Sequence, residues 1–361
     1  MFTYYFFYSS IILFFVFSQS IKIDKKTQSL FYFLFIITII IFAGLRHQTG
    51  GDWKIYQENY INNGLDFQIS KYNIRSDYGW ELISYILFKI GFSIHMLNFI
   101  SSAFFFISLN NFIRSYDSKL LVYIIIFPVI IIVLLMGFTR QAVAFSFLLL
   151  ALSSFFKEKI FITFFYIIIG TLFHKSLILL LFIYFLFPFK IIYQIYNKKI
   201  YLIFLFFLLI SLILTYSLIR QDFNSLIINY FGTAVDKNPI AQGAYQRWLI
   251  NFIPSLLLII FFKNFTENYV ERRIFLFFSI VSIFSIILIP FFTTGIDRIM
   301  YYFSIIQIFV FAKMPFIFPK YRKFTNLFII LYYLAIFIIW INFSNHSYLW
   351  IPYDNLLFYL F

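Results

Sequence analysis

Residues 30–56, "LFYFLFIITIIIFAGLRHQTGGDWKIY", decide how this chain is read. An apolar run ends at Leu45, and Arg46, His47, Gly50, Gly51 and Asp52 follow at once. Crossing the hydrocarbon core of a bilayer takes about 20 predominantly apolar residues in a helix. Runs of this kind recur along the chain, so the stretch reads as a membrane helix opening onto a charged mouth. The composition agrees: of 361 residues, 63% are hydrophobic, 25% aromatic and only 12% charged, with mean hydropathy +0.91. Soluble domains carry about 25% charged residues. A transmembrane β-barrel would show alternating segments of about ten residues, a pattern the chain lacks. The expected fold is all-α, a polytopic transmembrane helical bundle.

Apolar runs place about twelve spans, near 2–18, 29–45, 95–113, 120–136, 141–156, 160–173, 176–188, 200–218, 247–262, 274–292, 298–313 and 324–343. The segment "YGWELISYILFKIG", 78–91, is expected as an interfacial or re-entrant helix, because counting it as a span disturbs the charge pattern. The short connections 19–28, 114–119, 157–159, 189–199, 263–273 and 313–323 hold more than half of the 28 lysines and arginines. By the positive-inside rule that side is cytoplasmic, which leaves both termini periplasmic. The long connections 46–78 and 219–246 then lie outside. No linker or internal repeat divides residues 1–361, so one integral membrane domain is expected. The first residues lack a basic start and a small-residue cleavage site, and read as a retained span.

The net charge of +14 follows from cytoplasmic loops, and no basic cluster accompanies a soluble domain, so no nucleic-acid partner is expected. With no cysteine there is no disulfide or thiolate metal site. The four histidines, His47, His95, His174 and His346, show no metal-ligand spacing. Phosphate-binding glycine loops, zinc-protease and serine-hydrolase motifs are also missing.

The topology brings one set of ionisable residues to a single level at the outer face: Arg46 and Asp52, Glu81, Arg140 with Gln141, His174 with Lys175 and Ser176, Arg220 with Asp222, Arg247, and Asp297 with Arg298. Charges near a bilayer cost several kcal/mol unless they pair, snorkel or line a cavity. Arg140 and Arg298 stand at helix starts, where the guanidinium fork and the helix dipole both suit phosphate oxygens. The bland alternatives are a snorkelling anchor for each arginine, a helix-capping role for Asp297 and a hydrogen-bonded bundle histidine at 174. An arginine-rich face poor in clustered carboxylates suggests an anionic ligand, such as a lipid-linked pyrophosphate, handled without a metal or other cofactor.

These residues resemble the EpsG-like branch of the Wzy-type bacterial polysaccharide polymerases. The matching stretches are "GLRHQTGGDWKIY", "YGWELISYILFKIG", "TRQAVAFSFLLLALSSFFKEK", "GTLFHKSLILLL", "GIDRIMYYF" and "LWIPYDNLL", in order over nearly the whole chain. The resemblance implies a glycosyltransferase of the bacterial inner membrane. It would polymerise undecaprenyl-pyrophosphate-linked oligosaccharide units into O-antigen, capsule or exopolysaccharide at the outer face. Donor and acceptor lipids, membrane lipid and a chain-length regulator are the implied partners. Motif positions fall on Arg46, Asp52, Tyr56, Glu81, Arg140, His174, Arg298, Pro352 and Tyr353. Glu81, His174 and Asp52 are candidate catalytic bases, and Arg46, Tyr56, Arg140, Arg247, Arg298, Tyr302 and Tyr353 are candidate substrate contacts. Arg247 enters on physical grounds and not as a motif position. The rivals are an O-antigen ligase, which would use the same outer residues, and a transporter or flippase, which would place charges along a central path.

Overall fold

A computed structural model describes residues 1–20, 24–65, 77–186 and 243–359. The expected span 200–218, the greater part of the 219–246 connection, and Arg220 and Asp222 lie outside the described residues. Within the described residues the backbone is helical and has no strand. The helices are α1 (Phe2–Ser20), α2 (Lys25–Gly44), α3 (Trp53–Leu65), α4 (Tyr78–Lys89), α5 (Ile94–Phe112), α6 (Lys119–Ile126), α7 (Thr139–Phe155), α8 (Ile160–Thr171), α9 (Gly243–Ile260), α10 (Tyr269–Phe284), α11 (Thr293–Phe303), α12 (Ile305–Ile317) and α13 (Arg322–Phe343). A π-helical stretch, Phe127–Leu135, prolongs α6, and a 3₁₀ stretch, Lys175–Leu186, follows α8.

Among the described residues, four helical stretches are long and apolar enough to cross a bilayer alone: Phe2–Ser20, Lys25–Gly44, Thr293–Ile317 and Pro319–Phe343. Lys119–Leu135, Thr139–Phe155 and Ile160–Thr171 are apolar but shorter. The described residues are thus all-helical and include several apolar helices, as in a membrane protein.

The centre of the bundle is the α6 prolongation, in which every residue from Phe127 to Leu135 is buried. Pro128 has no amide proton, so the carbonyl four residues before it, on Ile124, loses its helical donor. The Tyr8 hydroxyl of α1 donates to Ile124 O instead, at 3.1 Å. Further along, the Trp350 indole donates to Ile132 O at 2.9 Å. Side chains from both ends of the chain thus hydrogen-bond to carbonyls of α6 and its prolongation.

The bundle has two distinct ends. At one, Lys313 pairs with Glu271 at 3.1 Å, and Lys119 lies over the Tyr32 ring. At the other, Gly79 N donates to Leu172 O at 2.8 Å, Asp52 N to Gly137 O at 3.3 Å, and the Tyr4 hydroxyl to Trp350 O at 2.9 Å. The described parts of the 46–78 connection, the 137–140 turn and the turn before His174 therefore meet at this second end, together with Tyr4 and Trp350 near the two termini.

The 46–78 connection differs from its reading as a loop, because Trp53–Leu65 is a helix. Its mean composition is too polar for a span, yet Trp53, Tyr56, Tyr60 and Gly64 form a buried stripe at helical spacing. That stripe packs on α4, with Tyr56 against Trp80 at 5.6 Å and Tyr60 against Phe88 at 5.9 Å. At about 1.5 Å rise per residue, α4 is too short to cross. It buries Trp80, Ser84 and Leu87 and exposes Tyr78, Leu82 and Ile86.

Candidate functional site

The α3–α4 hairpin, the start of α7, the turn after α8 and the start of α11 converge on one cluster of charges. Asp77 precedes the first turn of α4 and Glu81 sits one turn on, with Glu81 N donating to Asp77 O at 3.1 Å. Arg140, on the first turn of α7, donates to Asp77 Oδ2 at 2.9 Å. Its guanidinium also covers the Tyr56 ring, 5.3 Å from the centroid.

Both carboxyls hold their protons more tightly than usual. Burial pushes Asp77 up to about 6, against the pull of Arg140 and Lys175. Burial, with the neighbouring Asp77 charge, pushes Glu81 up to about 7. Glu81 Oε2 is buried with no hydrogen-bond partner among the described residues. A half-buried carboxyl with one vacant oxygen and a proton affinity near neutrality has the properties of a general base. Asp52 faces Arg298, Arg140 and the Tyr56 hydroxyl, and burial raises its proton affinity as well.

The turn after α8 brings His174 to the same place. His174 Nδ1 lies 2.6 Å from Ser176 Oγ, which lies 3.1 Å from the Tyr302 hydroxyl of α11. Burial, then the charges of Arg298, Arg140 and Lys175, keep the imidazole neutral well below its usual range. Neutral His174 can exchange hydrogen bonds with a hydroxyl but carries no charge to an anion.

The four expected arginines have different environments. Arg247, on α9, pairs with Asp297, donates to the Tyr301 hydroxyl at 2.7 Å and stacks on that ring at 4.4 Å. Arg140 is shared between Asp77 and Tyr56. Arg298 forms no ion pair among the described residues; it lies over the Phe138 ring at 4.5 Å and reaches Gln141 Oε1 only at 3.5 Å. Gln141 holds the helix that carries it, donating to Arg298 O at 2.6 Å. Arg46 is 1% exposed, and its guanidinium donates to Ala43 O at 2.6 Å, Thr49 O at 3.2 Å, Asn98 Oδ1 at 3.2 Å and Thr139 Oγ1 at 2.7 Å. It ties the end of α2 to α5 and to the residue before Arg140, and it has no acid partner among the described residues.

Tyr353 is likewise buried. Its hydroxyl donates to Phe42 O at 2.9 Å and its ring stacks on Phe42 at 4.8 Å. With the single bridge between Arg46 and Asn355, it fastens the C-terminal segment beneath the Arg46 turn. The turn needs its glycines. Gly50 has φ +119°, and a Cβ there would meet Met136 O at 2.1 Å, while one on Gly137 would meet the Trp350 ring at 2.4 Å.

The structure therefore gathers Asp52, Tyr56, Glu81, Arg140, His174, Arg298 and Tyr302, sets Arg247 beside them, and leaves Arg46 and Tyr353 in the packing beneath. Sequence reasoning missed Asp77, although an acid four residues before Glu81 at a helix start was a legible signal. It also missed Asn98 and Thr139, which nothing in the sequence links to Arg46. Among the described residues no three His, Asp or Glu side chains gather as a metal site requires, and the cations offered to a ligand are arginine and lysine.

The model of the EpsG family matches residues 29–355. No curated protein and no solved structure matches the chain. The match begins in α2 and ends at Asn355, the residue that bridges to Arg46, so it takes in every element that builds the cluster. Family membership associates the chain with polysaccharide biosynthesis of the polymerase, glycosyltransferase-like kind. The chain belongs to the EpsG family.

Proposed function

We propose that this protein is a membrane glycosyltransferase that polymerises undecaprenyl-pyrophosphate-linked oligosaccharide units at the outer face of the bacterial inner membrane, by a metal-independent mechanism. The observation that carries the reading is Glu81 Oε2, which has no hydrogen-bond partner among the described residues, beside a set of arginines that includes one with no acid partner among them. Glu81 takes the proton from an acceptor sugar hydroxyl. That oxygen bonds to the anomeric carbon of the donor as the bond from that carbon to the pyrophosphate oxygen breaks. The leaving group is undecaprenyl pyrophosphate, and its growing charge falls to Arg298 and, in part, to Arg140. Donors already fixed in place stabilise developing charge without reorganising.

Asp52 keeps Arg140 and Arg298 side by side, and Tyr56 supports Arg140 from below. Neutral His174, linked to Ser176 and Tyr302, aligns a sugar hydroxyl. Arg46 and Tyr353 position the Arg140 helix and touch no substrate. The gathering of ionisable groups at one end of the bundle favours group transfer over passage through it, since a transporter site lies near the bilayer midplane. An O-antigen ligase would use the same chemistry on a different acceptor. The test is purified protein supplied only with lipid-linked repeat units and no divalent metal. Chains longer than one unit, with released undecaprenyl pyrophosphate, are expected. Product formed only when lipid A core is added would identify a ligase, and no product from folded protein would refute the reading.

A further inference from the structure

The end of the bundle opposite the charged cluster carries an open cavity of about 620 Å³. It lies between the end of α1, the start of α2 and the first turn of α6, and its volume suits a small-molecule ligand. Lys25 and Lys119 both line it, and neither forms an ion pair among the described residues. Ser118 occupies the N-cap position of α6, but its side chain caps no amide, so the first-turn donors of that helix carry no side-chain partner. A helix start flanked by ammonium groups is a site for phosphate oxygens. α2 makes no such offer, because the Asp24 carboxylate accepts from Thr27 N at 2.9 Å. The one acid in the lining, Asp117, also acts on Lys313.

Aromatic side chains line the same cavity. Phe14, Phe17 and Phe31 line it, and the last two are exposed at 56% and 47%. α1 and α2 are peripheral helices, each with only 22% of its apolar window buried, so their outer surfaces face lipid. A polar, basic floor next to apolar surface in contact with acyl chains matches a phospholipid better than a soluble phosphate, whose ligand would need no such wall. Basic pockets between membrane helices bind anionic headgroups in this way.

We propose that this cavity binds the phosphate headgroup of an anionic phospholipid, with Lys25, Lys119 and the first-turn amides of α6 holding the phosphate and Phe17 and Phe31 flanking the chains. The site shares no residue with the charged cluster, so the polymerase reading and this one stand or fall separately.

The test is native mass spectrometry of the full-length protein with dioleoylphosphatidylglycerol and dioleoylphosphatidylcholine in competition. Wild type should retain the phosphatidylglycerol with a preference of roughly 30-fold, as two basic contacts supply, and the preference should shrink as salt rises. The variant K25Q/K119Q should lose it. The variant K157Q/K159Q, which removes two exposed lysines at the same end outside the cavity, should keep it. Size-exclusion profiles confirm folding, and K119Q alone serves if the double variant aggregates. Equal retention of the two lipids by wild type, or an unchanged preference in K25Q/K119Q, would overturn the proposal. Displacement of the retained lipid by millimolar glycerol 3-phosphate would reassign the site to a soluble phosphate.

Discussion

Asp77 and Glu81 stand one helical turn apart beside a single arginine, and only Asp77 has it as an ion-pair partner. Glu81 keeps a buried oxygen without a partner and a proton affinity raised to about 7. A base must be ionised to accept a proton, so a raised value moves the acid limb of activity upward. Polymerisation should therefore be weak at pH 6 and climb through a midpoint near 7, well above the ordinary glutamate range of about 4.3. A rate profile that is flat from pH 5.5 to 8 would remove Glu81 from this role. The arginines divide by their partners. Arg298→Ala removes a guanidinium that holds no acid, and should abolish polymer while shifting thermal stability little. Arg46→Met strands the carbonyls and side chains it now satisfies, and should cost about 3 kcal/mol of stability. Thermal melts of the two purified variants separate these effects.

At the level of elements, the site depends on close approaches that only glycine permits. Gly137 ends the α6 prolongation and lets the Trp350 ring pack on the backbone, while the Gly50 turn sits against Met136 O. Gly137→Ala forces the Trp350 ring away and should destabilise by about 2 kcal/mol. It should also lower activity, because that turn carries Thr139 and Arg140 into place. A melting temperature and rate unchanged from wild type would show that the turn does not position the site. The α3–α4 hairpin shows where sequence reading stops. The buried stripe Trp53, Tyr56 and Tyr60 was present at helical spacing, but a short polar segment between membrane runs reads as a loop until its partner helix is known. Arg46 was misleading for a similar reason. Its charge was visible at the helix mouth, whereas Asn98 and Thr139, which engage it, come from distant helices.

At the scale of the molecule, the alternation of apolar runs and basic connections was enough to bring Asp52, Glu81, Arg140, His174 and Arg298 to one level, and among the described residues these do lie together. Hydropathy and charge asymmetry act over every crossing at once, so errors at single boundaries average out. Side-chain pairing depends on the rotation of each helix about its axis, which no composition reports; the Arg140–Asp77 pair is an example. The absence of cysteine makes the topology directly measurable. Single cysteines introduced at His346 and Lys159, both exposed, should differ in intact cells: a membrane-impermeant maleimide should label position 346 and should reach position 159 only after the membrane is permeabilised. Labelling of both positions in intact cells, or of neither, would break the arrangement proposed for the bundle.

The central claim is that Glu81 and Arg298 act on the bond between the sugar and its lipid pyrophosphate, and the most direct measurement is chain length in the purified reaction. Wild type, Glu81→Gln and Arg298→Ala, matched for folded protein, would each receive lipid-linked repeat units. Wild type should build polymer and release undecaprenyl pyrophosphate, while both variants should form at least about 100-fold less, the scale of a lost proton transfer or a lost charge donor. Polymer of normal length and yield from either variant would contradict the account.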